Sequence, residues 1–344
     1  MKHLSSNNPT AKVDLRFGHY LKVRERELGS HLIGGIPDYA FSLDCKLRQQ
    51  LMAMTPVREI AKSLVSMAVP IYRQVQQMEA VAVGGQQYPE IYAIGEECAR
   101  RLGIGIPQIF IYYSPTINAY TIATDDVEPI VILSSAIVEA LTPEELQFVI
   151  GHECGHIHNL HGVYNTAVEL MTNTMAAVIL RAIPGLGILK MLLQGGLMLF
   201  FSRWSRCAEI TCDRAGLICC GDLNTAQMAL AKLATGGVNK LDQINLQEYI
   251  KQISQVQATP VRLLELTRSH PLTHKRIEAL NLFAQCDVLS SWRKEITLNN
   301  PVSKSEVDRR CEQFIEVMAT GYRSKPFSDR TTRSTSQPRQ IEIE

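Results

Sequence analysis

Behind Thr55-Pro56, apolar residues recur at three- and four-residue spacing through Val57, Ile60, Leu64, Met67, Ile71, Val75 and Met78. That period predicts an amphipathic helix, with threonine as cap and proline in the first turn. Pro70 inside the run predicts a kink. "EIYAIGEECARRLGI" reads as a second helix. "PQIFIYYS", "NAYTIAT" and "EPIVILSS" are rich in β-branched and aromatic residues and read as three strands, with "TDDVE" a hairpin turn between the last two. Helical spacing returns in "LTPEELQFVIGHECGHIH", where Thr142 and Glu145 stand at capping-box distance and Pro143 takes the first helical position.

Residues 163–201 are apolar with few breaks. Arg181, Pro184 and Lys190 cut the run into pieces shorter than the roughly 20 residues a spanning helix needs. Two short helices broken at "IPGLG" and packed as a hairpin fit best. A membrane-inserted or interface-lying segment stays open, with Phe200, Phe201 and Trp204 inserted and Arg203 and Arg206 at headgroups. Further helices are expected across 203–235, 258–284 and 303–319, while 1–42 has no assignable pattern and the tail from Ser324 reads as disordered. The expected organisation is an N-terminal helical extension over 1–82, a main domain over 83–285 with the hairpin inserted at 163–201, and a C-terminal helix and tail over 286–344.

With 46% hydrophobic residues, the 344-residue chain can bury a sizeable core. Thirty-five basic against thirty-four acidic residues leave a net charge of +1, which gives no electrostatic case for nucleic acid. The nine cysteines form no disulfide framework and the N-terminus has no apolar signal core, so a reducing, cytoplasmic location is expected. Cys207, Cys212, Cys219 and Cys220 could form a second metal site; buried small hydrophobes are the preferred reading.

The chemistry concentrates in "GHECGHIHNLHG", residues 151–162. On a helix His152 and His156 share one face and can offer two imidazoles to one ion, with Glu153 beside them as general base for a water: the zincin arrangement. Such a site needs a third protein ligand and an open position. The metzincin pattern would require glycine at 159 and histidine at 162, where this chain has Asn159 and Gly162. His161 is one residue out of register, turned by about 100° on a continuing helix. His158 and His161 are therefore expected on the outer turn or end of the helix, and Cys154, about 200° round from His152, is expected to pack. Instead, "CAEITCDRAG" supplies Glu209 as the third ligand and, four positions on, Asp213, able to bond the outer nitrogen of a ligating histidine.

HECGH followed by ExxxD resembles the HtpX-like and CAAX prenyl endopeptidase family of gluzincin zinc metallopeptidases. "INAYTI", "IVILSSAIVEALTPEELQFVIGHECGH" and "SHPLTHKRIEAL" are similar to further family segments in the expected order, over roughly 85–283. The resemblance implies an α+β, mostly helical zincin-like domain with a small β-sheet beside the HExxH helix, and one zinc ion per chain on His152, His156 and Glu209. It implies Glu153 as base, Asp213 behind the ligands, and Asn118, Ala119 and Tyr120 at a substrate-binding edge strand. His270 and Arg276 would face the scissile carbonyl, Arg276 being also able to hold Glu209. The expected activity is hydrolysis of internal peptide bonds in protein or peptide substrates. A membrane-embedded processing or quality-control protease, a chaperone-like zinc protein with little turnover, and peripheral membrane contact through 171–204 are the alternatives; oligomeric state is not indicated.

Overall fold

A ribbon of β1 (Leu32–Ile33) and β2 (Ile36–Pro37) leads into helices α1 (Ser42–Ala53) and α2 (Thr55–Glu79). This computed structural model describes residues 16–18, 20, 31–124, 128–172, 196–236, 245–254 and 271–316. There follow β3 (Ala80–Ala82), α3 (Pro89–Leu102), β4 (Gln108–Tyr112), β5 (Ala119–Ile122), β6 (Ile130–Ser134), α4 (Ser135–Ala140), α5 (Pro143–His158) and α6 (Gly162–Thr172). The remainder is helical: α7 (Gly196–Cys220), α8 (Leu223–Thr235), α9 (Leu246–Ser254), α10 (Thr273–Phe283), α11 (Asp287–Trp292) and α12 (Lys304–Ile315).

The three expected strands, β4, β5 and β6, join β3 in one four-stranded sheet in the order β3–β4–β6–β5, with β4 and β6 parallel and the other pairs antiparallel. All five residues of β6 are buried, while β5 is left at an edge. The β5–β6 pairing agrees with the expected hairpin; residues 125–127 of its turn lie outside the described residues. β3 is too short to announce itself by alternation. It hydrogen-bonds β4 across the boundary expected at 82/83, so the N-terminal extension and the main domain share one sheet.

α2 has the expected span, but its orientation corrects the expected core face. Val57, Ala61, Val65, Ala68, Val69 and Tyr72 are buried, whereas Met67, Ile71 and Met78 are exposed. Apolar residues cover more than half the circumference of this helix, so periodicity alone could not choose which arc faces inward. Small residues and a tyrosine take the contact because the neighbouring elements lie close.

α5 starts as predicted. Thr142 Oγ1 accepts from Glu145 N at 3.3 Å, and Glu145 Oε2 accepts from Thr142 N at 2.9 Å, satisfying two end donors reciprocally. From Phe148 to His158 every residue is buried. α7 lies directly against it, and glycine makes the approach possible. A Cβ on Gly155 would sit 2.8 Å from Ala215 Cβ and 3.1 Å from Cys212 Cα, and one on Gly151 would sit 2.6 Å from Cys219 Cβ. Cys154 is fully buried, as expected of a packing residue.

The helical stretch expected over 203–235 is built from two helices. Gly221, at φ 76°, ends α7, and Asp222 caps α8 by accepting from Thr225 N at 2.7 Å. Of the expected hairpin, residues 163–172 and 196–201 are helical and 173–195 lie outside the described residues. Phe201, Trp204 and Arg206 are buried, which removes them from the lipid-facing set: α7 is wrapped by protein at these positions. Among the described residues no helix is long and apolar enough to cross a membrane. Cys207, Cys212 and Cys219 are buried and free, and Cys220 half-buried. Further along α7, buried Arg214 pairs with Asp308 of α12 at 2.8 Å, donates to Tyr39 O at 3.0 Å and lies over the Phe41 and Phe283 rings, tying both ends of the described chain to the central helix.

Candidate metal centre

One helical turn of α5 separates His152 from His156, whose ring centroids are 5.1 Å apart. The close packing of α7 brings Glu209 between them. Its Oε2 is 3.5 Å from His152 Nε2 and its Oε1 is 3.5 Å from His156 Nε2. Ligands about 2.0–2.1 Å from a tetrahedral zinc stand about 3.3–3.4 Å from one another, so these donors fit the ion in chemistry and in spacing. All three residues are buried.

The outer sides of these groups are held in turn. His152 Nδ1 lies 3.0 Å from Asp213 Oδ1. Arg276, from α10, donates through Nε to Asp213 Oδ2 at 2.8 Å and through a terminal nitrogen to Oδ1 at 2.6 Å, and its other terminal nitrogen is 3.2 Å from Glu209 Oε2. One guanidinium thus grips both carboxylates of the ExxxD pair. Burial opposes ionisation of Asp213, but the Arg276 charge and the bonds from Arg276 and His152 outweigh it and hold the carboxyl below its usual range. Burial pushes the His156 imidazole down, toward the neutral form a metal requires. For His152 the pull of Glu209 and Asp213 overcomes burial and raises the value, so protons and a metal compete for this nitrogen.

Among the described residues, His152, His156 and Cys212 also bring potential ligand atoms within 4.8 Å of one another. Glu209 and Cys212 differ in what they face. The Glu209 carboxylate faces both Nε2 atoms and Glu209 lines the adjoining cavity, whereas the Cys212 sulfur lies 3.6 Å from His161 Nδ1. Burial, reinforced by Glu209 and other carboxylates, also pushes the Cys212 thiol well above its ordinary value.

That cavity, about 650 Å³, has His152, Glu153, Glu209 and Arg276 in its wall, with Asn118 and Ala119 on one rim and Tyr249 and Leu272 on another. Glu153 Oε2 accepts a 2.6 Å hydrogen bond from Thr121 Oγ1 on β5, which fixes its carboxylate beside the histidines. Asn118 pairs with Ser134, its carbonyl accepting from Ser134 N and its N–H donating to Ser134 Oγ, both at 3.0 Å. By antiparallel alternation Asn118 and Tyr120 then spend their main-chain groups on β6, and Ala119 and Thr121 turn theirs away from it, with Ala119 half-buried and Thr121 buried. The Tyr120 hydroxyl bonds that of Tyr72 on α2. His270 lies outside the described residues.

His161 departs from expectation. It is fully buried, with Nδ1 3.2 Å from His156 Nδ1 and Nε2 3.0 Å from Asp44 Oδ2. His158 is also buried, its Nδ1 3.1 Å from Tyr39 Oη. The helix does not continue past His158: Leu160 adopts φ 59° and His161 N donates back to His156 O at 3.0 Å, a Schellman closure that folds His161 over the last turn. Sequence reasoning missed Thr121, His161 and Asp44 as neighbours of the centre. Glycine or asparagine at 160 would have signalled the closure, but the left-handed residue is leucine.

Residues 85–283, more than half of the chain, match peptidase family M48. The chain belongs to that family. Its α+β, mostly helical, zincin-like fold is the one expected, and membership makes it a metallopeptidase. Among curated relatives, the plastoglobule-localized metallopeptidase 48 of Arabidopsis thaliana chloroplasts is 28% identical over 277 residues, covering 78% of each chain. Protease HtpX of Hydrogenovibrio crunogenus is 29% identical over 209 residues, 54% of this chain and 67% of that protein. The crystal structure of S. mikatae Ste24p aligns with a TM-score of 0.40 and 16% identity over 68% of this chain and 64% of that one, a likeness that adds nothing to the assignment.

Proposed function

We propose that this M48 peptidase is a zinc-dependent endopeptidase of proteins or peptides, with His152, His156 and Glu209 holding one zinc ion and Glu153 as general base. The observation that carries the reading is the convergence of two Nε2 atoms on the Glu209 carboxylate, 3.5 Å from each, beside a cavity lined by His152, Glu153 and Glu209. Zinc held there would polarise the scissile carbonyl and bring the pKa of a coordinated water to about 7. Glu153 would accept the proton of the attacking water and deliver it to the leaving amine. Thr121 would keep that carboxylate aimed. Asp213 would fix the His152 tautomer, and Arg276 would hold Asp213 and Glu209 rather than meet the substrate, since its donors are directed to those carboxylates.

A substrate would add as a strand to β5 beside Asn118 and Ala119, which line the cavity, with the outward main chain of Ala119 offered to it and Tyr120 fixing the strand through Tyr72. His270 keeps the oxyanion-donor role that the sequence suggests, its neighbours Pro271 and Leu272 lining the cavity. Phe201 and Trp204, as core residues, would take no part in peripheral membrane contact over 171–204, whereas Arg203 is exposed.

The deciding comparison is wild type against Glu153→Gln, scored for zinc content and for cleavage of an unfolded protein with and without chelator. The variant should keep its zinc and lose roughly 10²–10⁴-fold in rate. Wild-type turnover in Glu153→Gln would move the base elsewhere. Zinc-loaded wild type without cleavage would favour the binding-protein alternative.

A further inference from the structure

The two candidate histidine ligands are supported differently. His152 meets the Asp213 carboxylate directly, whereas His156 meets a second imidazole, His161, behind which stands Asp44 of α1. We infer that Asp44 and His161 are positioning residues for His156, a two-step chain through which α1, outside the 85–283 family match, takes part in the metal centre. The inference rests on His156 being a ligand.

The argument is one of donors and acceptors. The Asp44 carboxylate can only accept, so the His161 nitrogen 3.0 Å away, Nε2, must carry a hydrogen. In the tautomer so fixed Nδ1 is bare and stands 3.2 Å from His156 Nδ1, which can donate to it. That leaves His156 Nε2 with its lone pair free on the side of Glu209, the tautomer a metal requires. His161 is 0% exposed, so bulk solvent does not reach either bond. Asp44 is itself fixed from α7: Thr211 Oγ1 donates to the same Oδ2 at 2.7 Å and accepts from Phe41 N at 3.1 Å. The Cys212 sulfur, 3.6 Å from His161 Nδ1, is a longer and weaker competitor for that lone pair.

The test is zinc affinity of the full chain by chelator competition, together with the visible spectrum of the cobalt-substituted protein, for Asp44→Asn, His161→Phe and the double variant. Each single change should weaken zinc by about 10- to 100-fold and shift the cobalt bands. Because Asp44 acts only through His161, the double variant should bind no more weakly than His161→Phe. Unchanged affinity and cobalt spectrum in both singles, or losses that multiply in the double, would overturn the chain. If Asp44→Asn does not fold, His161→Phe decides by the same two readouts. His156→Ala separates the two levels: zinc retained there defeats the ligand reading itself, whereas zinc lost there and unaltered in Asp44→Asn and His161→Phe defeats only this inference.

Discussion

Thr121 Oγ1 donates to Glu153 Oε2 at 2.6 Å, so the edge strand on which a substrate would lie also aims the carboxylate that would act on it. Thr121→Val keeps the shape and removes the donor. A hydrogen bond to a charged group is worth about 1.5–3 kcal/mol, which predicts a fall in kcat of roughly 10- to 100-fold. Zinc content should not change. Steady-state peptide cleavage with parallel elemental analysis checks both halves, and loss of zinc from the valine variant would show that the threonine supports the metal rather than the base.

Glu209 and Cys212 make opposite forecasts for the third ligand. Glu209→Ala should lose zinc outright, because a coordinating oxygen is gone. Cys212→Ala should purify with one zinc per chain. A stoichiometric Glu209→Ala protein alongside zinc-free Cys212→Ala would reverse the assignment.

Arg276 bonds Asp213 and Glu209 in the way a bracing residue does. Arg276→Lys cannot reproduce the fork, and a weakening of zinc affinity by about 10- to 100-fold is expected. A direct oxyanion donor would behave otherwise, with kcat reduced and zinc binding intact. Chelator competition on the lysine variant separates the two.

Asp308 and Arg214 predict an acid-sensitive tie between the C-terminal helix and α7. Burial works to raise the Asp308 carboxyl, but Arg214, Lys304 and the Ser42 bond outweigh it and hold it below the ordinary value. A depressed folded-state pKa contributes stability above the unfolded value of about 3.9, and that contribution is lost as pH falls through the folded value. Asp308→Asn should therefore cost about 3 kcal/mol at neutral pH, since it leaves a buried guanidinium uncompensated. The gap between wild type and variant should close as pH drops below about 4. Urea unfolding at several pH values measures it, and a gap independent of pH would exclude the ion pair as its source.

Local spacing and end chemistry carried much of this in the sequence alone. The capping box at Thr142 and Glu145 needs only residues three apart, and the HECGH face follows from helix geometry, so α5 and the pairing of His152 with His156 were legible directly. The four-residue spacing of Glu209 and Asp213 put them on one face of another helix, and the gluzincin resemblance, not the spacing, tied that face to the histidines. What lay beyond the sequence depended on distances between elements. The exposure of Met67 and Ile71 was decided by which neighbour α2 packs against, and the burial of Phe201 and Trp204 by what surrounds α7. Thr121 reaches Glu153 only because β5 packs against α5, and Asp44 reaches His161 only because a left-handed leucine closes the helix and α1 packs behind it. Periodicity determines which residues share a face; the packing of glycine-spaced helices and the edge of a sheet determine what that face meets.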